Sequence, residues 1–136
     1  MPTKPLQRIL YVDDDEEVQR LVQLALERIG GLAVQLVNDS STAIEAFHSF
    51  KPDMIVLDRI MPGLDGVALF NIFRSMPEAA EIPVVFLTVE AYWRTIEELK
   101  ELGAAGVITK PFSATELATQ LKQIWASLPD VKGPAA

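Results

Sequence analysis

Cysteine is missing altogether. Its absence excludes a disulfide scaffold, a thiol nucleophile and thiolate-bound zinc or iron–sulfur centres, and it fits a reducing compartment. Histidine occurs once, at His48, so no multi-histidine metal centre can form. Beside Phe47 and Phe50, that residue is expected at a helix surface. Basic residues are scarce: 12 Lys and Arg stand against 19 Asp and Glu, for a net charge of −7. An acidic chain is a poor partner for nucleic acid, where binding rests on neutralising phosphates. Long apolar runs are also lacking, and none approaches the ~20 residues of a membrane span. The run nearest the N-terminus, Ile9–Val12, stops at an acidic cluster, so neither a signal peptide nor a membrane partner is expected, and the expected location is cytoplasmic. Neither a P-loop nor a dinucleotide-binding glycine pattern occurs, which argues against a nucleotide or flavin binder.

What remains is 136 residues, 49% of them hydrophobic, which suits one globular domain with its own core. Short apolar runs alternate with longer stretches of helical period. Ile9–Val12, Leu32–Val37, Met54–Leu57, Pro83–Leu87 and Val107-Ile108 read as strands. Between them, Val18 to Ile29, Ala43 to Phe50, Val67 to Phe73 and Tyr92 to Leu102 recur at helical spacing, and Leu117 to Leu128 forms a last helix ended by Pro129. Thr42 with Glu45, and Ser113 with Glu116, have the spacing of capping boxes. Trp125 falls on the core stripe of the last helix, whereas Trp93, next to Tyr92, faces the rim. Strict alternation of strands that are apolar throughout with helices predicts an α/β fold. Its parallel sheet lies between helix layers, doubly wound in the order 2-1-3-4-5.

Such sheets place ligands at the carboxyl ends of the strands. There the chain puts Asp13 and Asp14, Asp58, Thr88 and Lys110. Three carboxylates brought together repel one another, and a hard divalent cation with oxygen ligands, Mg²⁺ above all, relieves the repulsion. A Lys and a hydroxyl complete a set suited to moving a phosphoryl group, with one carboxylate as nucleophile. The run Asp13–Glu17 has a second reading, as acids capping a helix N-terminus. Asp58 and Lys110 have no such reading, because an Arg-Ile-Met-Pro-Gly turn follows the first and Pro111 the second.

The stretches Ile9–Asp14 (ILYVDD), Asp58–Gly66 (DRIMPGLDG), Thr88 and Lys110–Phe112 (KPF) agree in order and spacing with one family. The chain resembles the receiver domain of bacterial two-component response regulators over residues 7–128, with 129–136 as a tail or the start of a linker. The resemblance implies the flavodoxin-like three-layer sandwich and an aspartyl phosphate at Asp58. It implies Mg²⁺ held by Asp14, Asp58 and the backbone carbonyl of Ile60, with Asp13 acting through a metal-bound water. Lys110 would pair with Asp58 and then with the phosphoryl group, and Thr88 would hydrogen-bond a phosphoryl oxygen. The implied donor is a sensor histidine kinase or a histidine phosphotransfer protein. The implied readout surface is helix 4, strand 5 and helix 5, open to an output domain, a target protein or a second copy.

Three positions depart from the family pattern. Val107 stands where an aromatic switch residue is usual, so an aromatic flip coupled to Thr88 cannot occur in its usual form. Val89 replaces a small residue and is expected, together with Ile60, to narrow access to Asp58 and slow the chemistry. A phosphatase of the haloacid dehalogenase type would need a second Asp where Ile60 stands, so a signalling module rather than an enzyme is expected. The competing reading is a pseudo-receiver that binds partners without phosphorylation.

Overall fold

The computed structural model describes residues 4–59, 66–89 and 93–128. Five strands, β1 (Arg8–Val12), β2 (Ala33–Val37), β3 (Met54–Asp58), β4 (Val84–Thr88) and β5 (Gly106–Thr109), form one sheet in the order β2-β1-β3-β4-β5. All four pairings are parallel. The helices are α1 (Glu16–Gln23), α2 (Ala43–Phe50), α3 (Gly66–Ser75), α4 (Trp93–Leu102) and α5 (Leu117–Ser127). The order and parallel sense are those expected from the alternation of elements.

Period-two alternation along each strand splits the core into two layers. Ile9, Tyr11, Met54, Val56, Val85, Leu87 and Ile108 face α1 and α5, where Val22, Leu26, Leu121 and Trp125 cover them. Leu10, Val12, Ile55, Leu57, Val84 and Phe86 face α2, α3 and α4, where Phe47, Phe70, Phe73 and Leu99 cover them. The central strands β3 and β4 are buried at every position, which is why their sequences carry no polar alternation. Trp125 packs as expected, and its indole N–H donates to the Lys4 carbonyl (2.9 Å). Tyr92, the Trp93 side chain, the Pro62-Gly63 turn and the tail from Pro129 lie outside the described residues.

Three local expectations need correction. The first helix does not run uniformly to Ile29: it turns π-helical over Leu24–Ile29. Ala25 and Leu26 stay in the core there, whereas the stripe residues Ile29, after the wider turn, and Leu21, before it, stand exposed. Neither capping box forms. The Thr42 hydroxyl donates to the Asp39 carbonyl (3.0 Å) within a short 3₁₀ turn, Ser40–Thr42, and makes no cap bond to α2. Ser113 shares its hydroxyl with Thr115 (2.9 Å), and α5 starts with no side-chain cap. Both serine/threonine side chains satisfy the preceding turn in place of the helix.

Gly66 opens α3 directly behind the end of β3. Its amide donates to the Arg59 carbonyl (2.7 Å), and a Cβ there would lie 2.3 Å from the Asp58 carbonyl oxygen and 3.0 Å from the Arg59 Cα. Both neighbours are backbone and cannot yield cheaply. Gly66→Ala is therefore expected to cost about 1–3 kcal/mol, the range of overpacked sites. A lowered urea midpoint, with amide shifts centred on Asp58 and Arg59, is the outcome to check.

Candidate functional site

The parallel register brings the strand ends level. Asp13, one residue beyond β1, donates its amide to the Val37 carbonyl (3.0 Å), Arg59 to the Leu87 carbonyl (2.9 Å), and Lys110 to the Thr88 carbonyl (2.7 Å). Each bond continues the ladder past the strand and fixes the residue after it. Ligand oxygens of Asp13, Asp14 and Asp58 all lie within 4.8 Å of one another. Lys110 Nζ stands 3.2 Å from Asp58 Oδ1 and 3.5 Å from Asp13 Oδ2. The peptide bond that follows it, Lys110-Pro111, is cis. Thr88 is buried at the end of β4. The five side chains singled out in the sequence thus converge on one edge of the sheet. The Ile60 carbonyl lies outside the described residues.

The two readings of the acidic run divide between its residues. Asp15 is the N-cap of α1, its carboxylate accepting from the amides of Glu17 (2.9 Å) and Val18 (3.2 Å). Glu16 and Glu17 occupy the first turn, where the helix dipole favours them. Asp13 and Asp14 are left to the cluster. Asp14 is exposed, whereas Asp13 is 0% and Asp58 7% exposed.

Two further residues serve the cluster and were missed in the sequence. Tyr11, fully buried, donates its hydroxyl to Asp13 Oδ2. Gln19, the only buried polar residue of α1, donates from Nε2 to the Asp13 carbonyl (2.7 Å). Strand parity held the first signal, since residues 11 and 13 must share a face. Gln19 carried the second as a polar residue on the apolar stripe. Burial, together with the charge of Asp13, pushes the Tyr11 phenol far above its ordinary value, so its proton stays in place.

Burial, reinforced by the negative charge of Asp13, raises the Asp58 carboxyl from 3.8 to about 6, against the opposing pull of Lys110. One ammonium does not offset the loss of water and a neighbouring carboxylate. The donor set is all oxygen and anionic, which fits a hard divalent cation and not a soft metal.

Val89 is exposed at the end of β4. Val107 is half-buried and packs against the α2–α4 side of the core. His48 is at the surface and pairs with Glu78 (3.1 Å). A concavity of about 950 Å³, lined by His48, Asp53, Pro83 and Trp125 among others, opens at the amino ends of β3, β4 and β5. The carboxylates stand at the opposite edge of the sheet and are remote from it.

A family model described as the response regulator receiver domain matches residues 9–122. The chain belongs to this family. Among curated receiver-containing relatives, the transcriptional regulatory protein CseB of Streptomyces avermitilis is 34% identical over 93% of this chain and 52% of its own. The chemotaxis protein CheY-3 of Vibrio cholerae is 34% identical over 89% of this chain and 93% of its own. A response regulator from Chloroflexus aurantiacus superposes with a TM-score of 0.80 at 30% identity, covering 90% of this chain and 99% of that one. The chain spans about half the length of the first curated relatives it matches. As a receiver domain it is a signalling module of two-component systems, and among the described residues no helix is long and apolar enough to cross a membrane.

The raised Asp58 carboxyl has a thermodynamic consequence. A folded-state value above the unfolded one means that the folded chain holds the proton more tightly, so this residue's contribution to stability falls as pH rises from about 4 to about 6. Asp58→Asn removes that loss. Without divalent cations, the variant is expected to gain on the order of 2 kcal/mol over the parent at pH 7.5 and little at pH 4. Urea unfolding at the two pH values checks it. A gain equal at both would reject the assignment.

Proposed function

We propose that this chain is the phosphoacceptor receiver of a two-component relay, one module with its core at about residues 7–128 and Asp58 as the acceptor. The observation that carries the reading is the Asp58 carboxylate held between a second buried carboxylate and an ammonium at the ligand-binding edge of the sheet. An Asp58 oxygen attacks phosphorus of a phosphohistidine. The new O–P bond forms as the N–P bond breaks, and the electron pair leaves with the imidazole. Asp14 and Asp58, with the Ile60 carbonyl, would hold Mg²⁺, which supplies charge neutralisation at the phosphoryl oxygens. Lys110, already shared by Asp58 and Asp13, follows the new negative charge. Thr88, buried next to it on β4, offers a hydroxyl donor to a phosphoryl oxygen.

The phosphoryl donor on this reading is a sensor histidine kinase or a histidine phosphotransfer protein. The readout runs from Thr88 and Lys110 into β5 and the surface of α4, β5 and α5, because both residues sit where β4 and β5 pair. That surface would meet an output domain, a target protein or a second copy. DNA contact would fall to an output domain, since this chain carries a charge of −7. Val107, in the usual aromatic position, favours a second reading, a pseudo-receiver that works without phosphorylation.

One experiment separates them. With acetyl phosphate and Mg²⁺, the intact mass is expected to rise by one phosphoryl group, and Asp58→Asn to abolish the rise completely. With beryllofluoride, amides of residues 104–112 are expected to shift. An unchanged mass and unshifted amides in the parent chain would leave the pseudo-receiver standing.

A further inference from the structure

Tyr11 has no counterpart in the phosphoryl chemistry, yet it is buried against it. Every oxygen of Asp13 is engaged by the protein. Oδ1 accepts from the Asp15 amide (3.0 Å), and Oδ2 accepts from the Tyr11 hydroxyl and from Lys110 Nζ (3.5 Å). The Asp13 carbonyl accepts from Gln19 Nε2 (2.7 Å) and its amide donates to Val37 (3.0 Å). Oδ2 thus has one close donor, the Tyr11 hydroxyl, and one distant one, and the side chain is held at both of its oxygens. Among the described residues, none donates to the carboxylate of Asp14.

We propose that Tyr11 determines the cation specificity of the site: by holding Asp13 Oδ2, it keeps that carboxylate out of direct ligation and limits the protein ligands to few. The proposal rests on the Mg²⁺ reading of the cluster given above. Few protein oxygens suit Mg²⁺, which keeps several waters in a strict octahedron. Ca²⁺ accepts six to eight oxygens in flexible geometry and gains from each added carboxylate. Tyr11→Phe removes one oxygen and leaves the ring in the core. It frees an acceptor site on Oδ2, and Asp13 becomes available as a third carboxylate ligand. The gain falls mainly to Ca²⁺. Lys110 alone cannot hold Oδ2, because the same ammonium is drawn to Asp58 at the shorter distance.

Calorimetric titration of the parent chain and Tyr11→Phe with Mg²⁺ and with Ca²⁺ tests this. The expected result is about a tenfold fall in the Mg²⁺ to Ca²⁺ affinity ratio, carried by tighter Ca²⁺ binding. In an Asp13→Asn background, Tyr11→Phe is expected to change the ratio no further. A folded Tyr11→Phe chain with the parent's ratio would overturn the proposal and leave the Mg²⁺ reading intact. A parent chain that binds neither cation would overturn both. A second measurement needs no variant: on adding Mg²⁺ to the parent, the side-chain carboxyl carbons of Asp14 and Asp58 are expected to shift strongly and that of Asp13 little. A shift at Asp13 equal to theirs would show direct ligation and reject the role given to Tyr11.

Discussion

Like-charge repulsion at the end of a parallel sheet is the constraint around which this molecule is arranged. The adjacent pair Asp13-Asp14 and the distant Asp58 are forced together by the pairing of β1 with β3. Two of them are cut off from water, where a nearby negative charge is felt most strongly. Among the described residues, the Lys110 ammonium, delivered from the end of β5 at the far edge of the sheet, pairs with both buried carboxylates and offsets part of this. The hydrophobic layers therefore do more than stabilise. Phe70, Phe73 and Phe86 on one side, and Leu26, Leu121 and Trp125 on the other, hold the strands in the register that keeps the carboxylates close. Without that packing the charges would simply separate.

Much of this was legible in the amino-acid order because it rests on period and polarity. Strands apolar at every position imply a sheet covered on both faces, and their ends name Asp13, Asp58, Thr88 and Lys110. What escaped was decided by competition over short distances. Thr42 and Ser113 had the right spacing for caps, but each found a nearer partner in its own turn. The π-turn at Leu24–Ile29 follows no sequence rule we can state, and it reverses the exposure expected of Ile29. In the sequence, Tyr11 looks like one more apolar residue of a strand. Its ring is that, and only its hydroxyl belongs to the site.

The acidic run at Asp13–Glu17 shows how neighbouring identical residues take different work. Strand parity turns Asp13 inward beside Tyr11 and leaves Asp14 exposed at the mouth. Asp15 leaves the strand direction and caps α1. Three consecutive aspartates thus become an inner anchor, an outward ligand candidate and a helix cap. A substitution at each would therefore be read by a different observable: local geometry at the first, cation affinity at the second and helix stability at the third.

On the reading proposed for the site, the same repulsion makes cation binding and phosphoryl transfer mutually supporting. Three carboxylates and one ammonium leave a net negative cluster, and a phosphoryl group approaching it brings more negative charge. Its attachment to Asp58 is opposed until positive charge is supplied. A divalent cation held by these carboxylates would lower that opposition, and by linkage an attached phosphoryl group would tighten the cation by the same factor. The ammonium of Lys110 cannot serve both ends of this exchange, because it is already divided between Asp58 and Asp13. On the same reading, growing charge on Asp58 would draw Lys110 toward it and away from Asp13. The backbone of Lys110 is tied to Thr88 at the join of β4 and β5, so a shift of that side chain is felt first along β5. On that reading the switch would need no aromatic rotamer at residue 107: a redistribution of one shared positive charge would start it.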